Sequence, residues 1–405
     1  MLNHPVCLCA FRPFFLLSLA SGLISLFLWL GFLQGWWVLP ATASGIIVWH
    51  AHELLFGFVM ASLAGFILTA MPEFTRTPDV RREVFLGLAV LWALGRITFW
   101  ASGGLGIVPA AITNMGFSLG LWLYLQPRLL ANPLRRQWLF SMGLAGMAGI
   151  SVGFYSDVLR ELYPMRWLHA GISMMMALIV ITASRIAMRI VNEAIEALPT
   201  NKNEDDLPDE YRSTPPRRNL AVFCILLYTV THFIWPQASV NGWLALAAAA
   251  SVFNVLNDWH VGKALFNRWP LQFYAVYWFM AIGYILLGLQ HLGMPIPASS
   301  GWHLLSIGGM SLSVFSVLCI SGRTHSGHQL DERNWVNFVT LLIIIAALSR
   351  ALAGWVNLPL NLLYLVSGSA WLLAFSMTLY YLAPVFLKPR PDNGKGCEEP
   401  LPVAE

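Results

Sequence analysis

An all-α, polytopic integral membrane protein of about twelve transmembrane helices is the fold class this sequence predicts, and three observations predict it. Of its 405 residues, 57% are hydrophobic and only 11% charged, and its mean hydropathy is +0.64, more apolar than a soluble domain of this size. Its apolar runs repeatedly reach the roughly 20 residues needed to cross a bilayer. These runs do not alternate polar and apolar residues, as barrel strands do, and a backbone in lipid must then satisfy its own hydrogen bonds as helices.

The predicted spans lie at about 14–35, 46–71, 84–102, 106–125, 137–155, 166–190, 219–237, 241–259, 272–290, 301–321, 336–356 and 360–386. The first reads as a retained span. Arg12 precedes its long apolar run, but no small-residue cleavage site follows it. Even-numbered connections carry the cations: Arg76, Arg81 and Arg82; Arg128, Arg135 and Arg136; Lys202, Arg212, Arg217 and Arg218; Lys263 and Arg268; Arg323 and Arg333. Arg12, Lys388, Arg390 and Lys395 fall on the same side. The odd connections are nearly free of Lys and Arg. This bias predicts that both termini are cytoplasmic. The net charge of +4 is spread over many loops and excludes a nucleic-acid-binding patch. The five cysteines, Cys7, Cys9, Cys224, Cys319 and Cys397, map to or near the reducing side, which argues against structural disulfides.

The chain divides as 1–190, a first six-helix half; 191–218, a charged, proline-bearing cytoplasmic linker; 219–387, a second six-helix half; and 388–405, a disordered tail. A finer period underlies the halves. Spans two, six and ten each open with a histidine: His50 and His52, His169, and His303. The span after each carries a polar group at similar depth: Arg96, His232 and Arg350. This is the pattern expected of three repeated four-helix units.

Ionisable residues in a span mark function by default. His50, His169 and His303 sit at matched depth, roughly 5 Å below the outer interface at 1.5 Å per residue, and would form one shared site if their helices pack together. Imidazole points to a metal or haem. His50 and His52 are about 200° apart on a regular helix, so only one can face that site. Glu53, three residues from His50, is on its face and is the expected carboxylate partner of a liganding imidazole. Haem needs one or two axial histidines, an apolar pocket and cations for its propionates, which Arg96 and Arg350 would supply. Copper is the other candidate, with Met174, Met175 and Met176 below His169. No CxxCH is present, so a haem would be non-covalent. On the inner side, Arg323, His325 and His328 stand within six residues. They suit a metal, a phosphate, or helix capping against lipid headgroups.

Several of these stretches resemble the NnrS family of bacterial haem- and copper-containing membrane proteins. They are FRPFFLL (11–17), VWHAHELLFGFVMASLAGFILTAMPEFT (48–75), LWALGR (91–96), HAG…SRIAMR (169–189) and GWHLLSIGGMSLSVFSVLCISGRTHSGH (301–328). The resemblance departs at Gln329, Leu330 and Asp331, where the family usually has TGR. It implies twelve spans, haem, copper in some members, and protection from nitric oxide and nitrosative stress. It supplies no reaction. The leading expectation is therefore a membrane haem protein in contact with lipid. It would bind nitric oxide or act on iron–nitrosyl species, with His50, His52, His169 and His303 as ligands, Glu53 behind them, and Arg96 and Arg350 on propionates. The alternative is a secondary transporter or channel for a metal ion or small anion, using the same polar residues as its path. A haem-copper oxidase chemistry would need a denser histidine set and proton-carrying carboxylates in mid-span, which are missing.

Overall fold

The computed structural model describes residues 4–131, 137–198, 210–355, 358–394 and 397. Arg135, Arg136, Lys202, Lys395, the middle of the 191–218 connection and most of the tail lie outside them. Among the described residues 80% are helical and none is in a strand.

The helices follow the predicted spans closely: α1 Phe11–Leu33, α2 Ile46–Thr75, α3 Arg82–Trp100, α4 Val108–Ala131, α5 Trp138–Leu159, α6 Met165–Glu196, α7 Pro215–Ile234, α8 Val240–Val255, α9 Arg268–His291, α10 Ala298–Thr324, α11 Trp335–Leu352 and α12 Leu360–Leu387. All but α7 are long and apolar enough to cross a membrane, α8 when taken together with the 3-10 turn Leu256–Asp258 that continues it. The twenty-residue α7 stands where the seventh span is expected, and Arg217, Arg218 and Asn219 in its first turns dilute its apolar run.

Two helices change pitch. After Ile46–His52, α2 runs as π-helix over Glu53–Val59 before returning to α over Met60–Thr75. After Ala298–His303, α10 does the same over Leu304–Ser311. In both, the widened turns begin at the residue after a histidine. A π segment redirects backbone carbonyls, and neighbouring donors can then take them. The Ser18 hydroxyl donates to the Phe58 carbonyl (2.7 Å) and the Trp92 indole N–H to the Phe56 carbonyl (3.1 Å). In α10 the Ser311 hydroxyl donates five residues back to Ser306 (3.2 Å). The α6 helix carries no such segment. The π segment thus accompanies two of the three histidine-bearing helix starts.

The chain forms two compact units. The first comprises Met1–Gly171, Val317–Trp335 and Trp371–Glu405; the second, Ile172–Ser316 and Val336–Ala370. This division does not fall at the 191–218 connection. In the first unit, small residues let helices approach closely: a Cβ on Gly65 would meet Phe14 and Phe15 at 2.9 Å. In the second, Gly242 faces the Gly288 carbonyl and Gly301 that of Gly283, bringing α8 to α9 and α9 to α10. Both described ends of the 191–218 connection are fixed within this unit. Asn192 exchanges hydrogen bonds with the Tyr211 backbone (2.8 and 3.2 Å), and Asp258 accepts from Thr214 and Arg217.

One expectation at the arginine-rich end of the first unit is corrected: Cys9 and Cys397 are joined in a disulfide, with Cα atoms 5.4 Å apart across 388 residues of sequence. In the tail, Lys388, Pro389, Pro391, Asp392 and Asn393 are exposed, and Arg390 is the anchor. Arg390 is buried, donates to the His325 carbonyl (3.2 Å) and grips Asp392, while the His325 Nδ1–H donates to the Cys397 carbonyl (2.7 Å). A buried guanidinium needs acceptors, and these fix the strap in place. Nearby, burial alone would raise the Asp331 carboxyl, but the Arg333 fork and amide, the Trp335 indole N–H and the Arg323 charge hold it well below the usual carboxylate range. A depressed carboxyl contributes stability above its unfolded value, near 4, and loses that contribution as pH falls further. Asp331→Asn is expected to cost about 1–3 kcal/mol at neutral pH and to flatten the fall in stability below about pH 4, as read by thermal unfolding in detergent across pH.

Candidate functional site

The π segment of α2 sets the geometry of the first unit's polar centre. Glu53 opens it, fully buried, and its Oε1 accepts from Arg96 Nη1 on α3 (2.8 Å) and from His52 Nδ1 (3.0 Å). The other His52 nitrogen, Nε2, meets the Tyr155 hydroxyl of α5 at 2.8 Å. Arg96 continues the chain by donating through Nη2 to Asn114 Oδ1 on α4. Asn114 in turn donates to the carbonyls of Gly95 (3.1 Å) and Ala110 (2.9 Å). Four helices thus share one polar string, Tyr155–His52–Glu53–Arg96–Asn114. A Cβ on Gly57, one turn on, would strike Ser21 Oγ at 2.7 Å and reach Arg96 at ordinary contact distance, 3.5 Å, so glycine lets α1 approach α2 here.

The walls are aromatic. The His52 ring stacks on Phe99 with centroids 3.7 Å apart, and Phe56, Phe154 and Tyr155 surround it. Desolvation in such walls is costly for a lone charge. Pairing one carboxylate with one guanidinium and an imidazole N–H is the arrangement that makes it tolerable.

The structure places the remaining predicted residues differently. Glu53 bonds His52, its neighbour, and not His50, because the Oε1–Nδ1 contact needs only an adjacent pair. His50 is half-buried and stacks on Trp29, with centroids 4.3 Å apart and planes 14° apart. His169 is half-buried near the start of α6 in the first unit. His303 belongs to the second unit. There its Nδ1 donates to the Ser299 carbonyl one turn back (2.7 Å), which leaves the lone pair on Nε2. On α11, Arg350 lies over the Tyr364 ring at 4.8 Å, and its buried Nη1 has no hydrogen-bond partner among the described residues. The two helices are in contact: Leu304 packs with Ala347 and Ala351, and the Trp355 indole N–H reaches Ser300 Oγ (3.1 Å). Among the described residues, no three of His, Cys, Asp and Glu converge closely enough to hold a metal ion.

Sequence reasoning missed Tyr155, Asn114 and Ser299. Asn114 left a signal, a carboxamide amid the apolar run of α4. Tyr155 and Ser299 left none, since nothing in spacing tells which phenol or carbonyl will meet an imidazole.

Helical spans enclosing a buried imidazole–carboxylate–guanidinium string define a multi-pass membrane protein with a polar centre inside its bundle. The chain belongs to the NnrS protein family, whose match runs over residues 5–390. This membership supports a role in the nitric oxide response in general. No curated protein matches the chain.

Because Glu53 and Arg96 are each other's main charge partner, Glu53→Gln or Arg96→Met alone is expected to destabilise the protein by about 3–5 kcal/mol by stranding a buried charge. The double substitution is expected to recover much of that loss. Thermal unfolding in detergent of both singles and the double, as a double-mutant cycle, measures the coupling.

Proposed function

We propose that the protein is a haem-containing membrane protein of the nitric oxide response, in an inner membrane with cytoplasmic termini, whose haem is held in the second unit by His303 and Arg350. The observation that carries this reading is the His303 Nδ1–Ser299 carbonyl bond. Tying one ring nitrogen to a carbonyl fixes the tautomer, orients the ring and makes the other nitrogen the donor to iron. Arg350 supports it independently: a buried N–H without an acceptor suits a propionate carboxylate. A haem bound there would supply iron with an axial position for a diatomic ligand. The protein residues would orient the ring, neutralise a propionate and exclude water behind Leu304, Leu305 and Phe279, all buried. Apolar nitric oxide can reach such a site through lipid.

His52 takes a different role in this reading. Both its ring nitrogens are engaged by Glu53 and Tyr155, so it joins helices and does not ligate. His50, stacked on Trp29, and His169 are half-buried and belong to the first unit.

In detergent, the purified protein is expected to carry stoichiometric haem with a Soret band that shifts on nitric oxide. His303→Ala is expected to lower haem per protein about tenfold or more, and Arg350→Gln to lower it less. His52→Gln is expected to keep the haem while lowering thermal stability. An unchanged Soret band in both His303→Ala and Arg350→Gln, or a preparation without haem, would sink this reading.

A further inference from the structure

At the arginine-rich end of the first unit, positive charge outnumbers its partners. Arg12, in the first turn of α1, is completely buried, and its Nη1 donates to the carbonyls of Phe386 (2.9 Å) and Lys388 (2.7 Å). Its Nε and Nη2 are buried as well and, among the described residues, have no hydrogen-bond partner. A guanidinium cannot shed its charge, and a buried donor without an acceptor is costly.

The neighbouring carboxylates are already committed. Asp392 is gripped by Arg390 at 2.6 and 2.9 Å. Asp331 takes the Arg333 fork and lies 3.3 Å from Arg323 Nη1. Four guanidinium groups therefore share two carboxylates. His328 completes the group. Its backbone N–H donates to the Arg323 carbonyl (3.0 Å), and Phe11, beside Arg12, packs on His325 with ring centroids 6.2 Å apart, so the three basic residues stand in one region; burial first, then the charges of Arg323 and Arg12, push the His328 imidazole toward the neutral form against the opposing pull of Asp392. Gly327 makes the turn that brings His328 there. Its φ of +78° suits glycine, and a Cβ would strike the Asp392 carboxylate at 2.6 Å.

We propose that Arg12, Arg323 and His328 form a binding site for a phosphate-class oxyanion. Phosphate offers several acceptor oxygens on one small group, which suits the two buried Arg12 donors without acceptors, the His328 imidazole and the part of the Arg323 guanidinium not taken by the Gln329 carbonyl (2.9 Å) and Asp331. The Arg323 side chain is 13% exposed, so the site has a way in. Two sources present this chemistry: the headgroup phosphate of an anionic phospholipid and free inorganic phosphate. The site is separate from the haem reading, and its test uses no haem signal.

The test is thermal unfolding of the full chain, in neutral detergent with inorganic phosphate against chloride at matched ionic strength, and in nanodiscs of phosphatidylcholine with and without phosphatidic acid. Saturable stabilisation by phosphate supports the site with a free anion as ligand. Stabilisation by phosphatidic acid alone supports it with a lipid as ligand. Arg323→Gln and His328→Gln are each expected to weaken the apparent affinity about tenfold, whereas Arg128→Gln, elsewhere in the unit, should not. Arg12→Lys tests the buried cation, and the two peripheral variants keep the test decisive if that protein fails to fold. Stabilisation by neither ligand, or equal stabilisation of wild type and both peripheral variants, overturns the proposal.

Discussion

The pairing of Glu53 with Arg96 is the constraint around which the first unit is arranged. A carboxylate inside an apolar bundle needs a cation at contact distance, and Arg96 meets it at 2.8 Å. That cation must itself be satisfied, which brings in Asn114 and thereby α4. The imidazole on the other side of Glu53 must be satisfied too, which brings in Tyr155 and thereby α5. Hydrogen bonds made between helices in this setting have no water competing for either partner. The string therefore works as a register mark, setting how α2, α3, α4 and α5 stand along one another.

Much of the fold was legible in the sequence because a bilayer imposes a length on every apolar run. The twelve spans and their order emerge from that constraint alone, with ends displaced by a few residues where α6 continues to Glu196 and α7 begins at Pro215. The exceptional residues of the site were legible for a related reason: Glu53, Arg96, His52 and Arg350 are expensive where they stand, so each announces itself. Which of them meet was not legible. The helical-wheel argument pairs Glu53 with His50, yet adjacency decides the contact, and the wheel assumes the pitch that the π segment abandons at that residue. Tyr155 and Ser299 are ordinary residues that became partners through packing, which leaves no trace in spacing.

The two ends of the molecule place different demands on their polar groups. Toward the histidine-bearing helix starts, His52 is enclosed by aromatic rings and meshed with one acid and one phenol. At the arginine-rich end, the chain's termini return to each other: Cys9 is linked to Cys397, Arg12 holds the last turn of α12, and Phe11, Phe15 and Phe386 pack into one aromatic knot. The proximal tail reads as a charged, proline-bearing extension in sequence. It is held because Arg390 has acceptors on the α10 side, a contact no local pattern encodes.

The widened turns that follow His52 and His303 carry a consequence for how such a chain can change. A helix that holds surplus residues in a π stretch stores an unspent insertion. Deleting one residue between Glu53 and Val59 would let the widened turn tighten to α pitch and leave what lies beyond it nearly in register, so that Thr69, whose hydroxyl accepts from the Phe11 amide, would keep its place against α1. The same deletion in a regular stretch such as Met60–Thr75 would rotate everything beyond it by about 100°, the angle one residue subtends in an α-helix. Single-residue gaps should therefore be tolerated better in these two widened turns than anywhere else along the same helices.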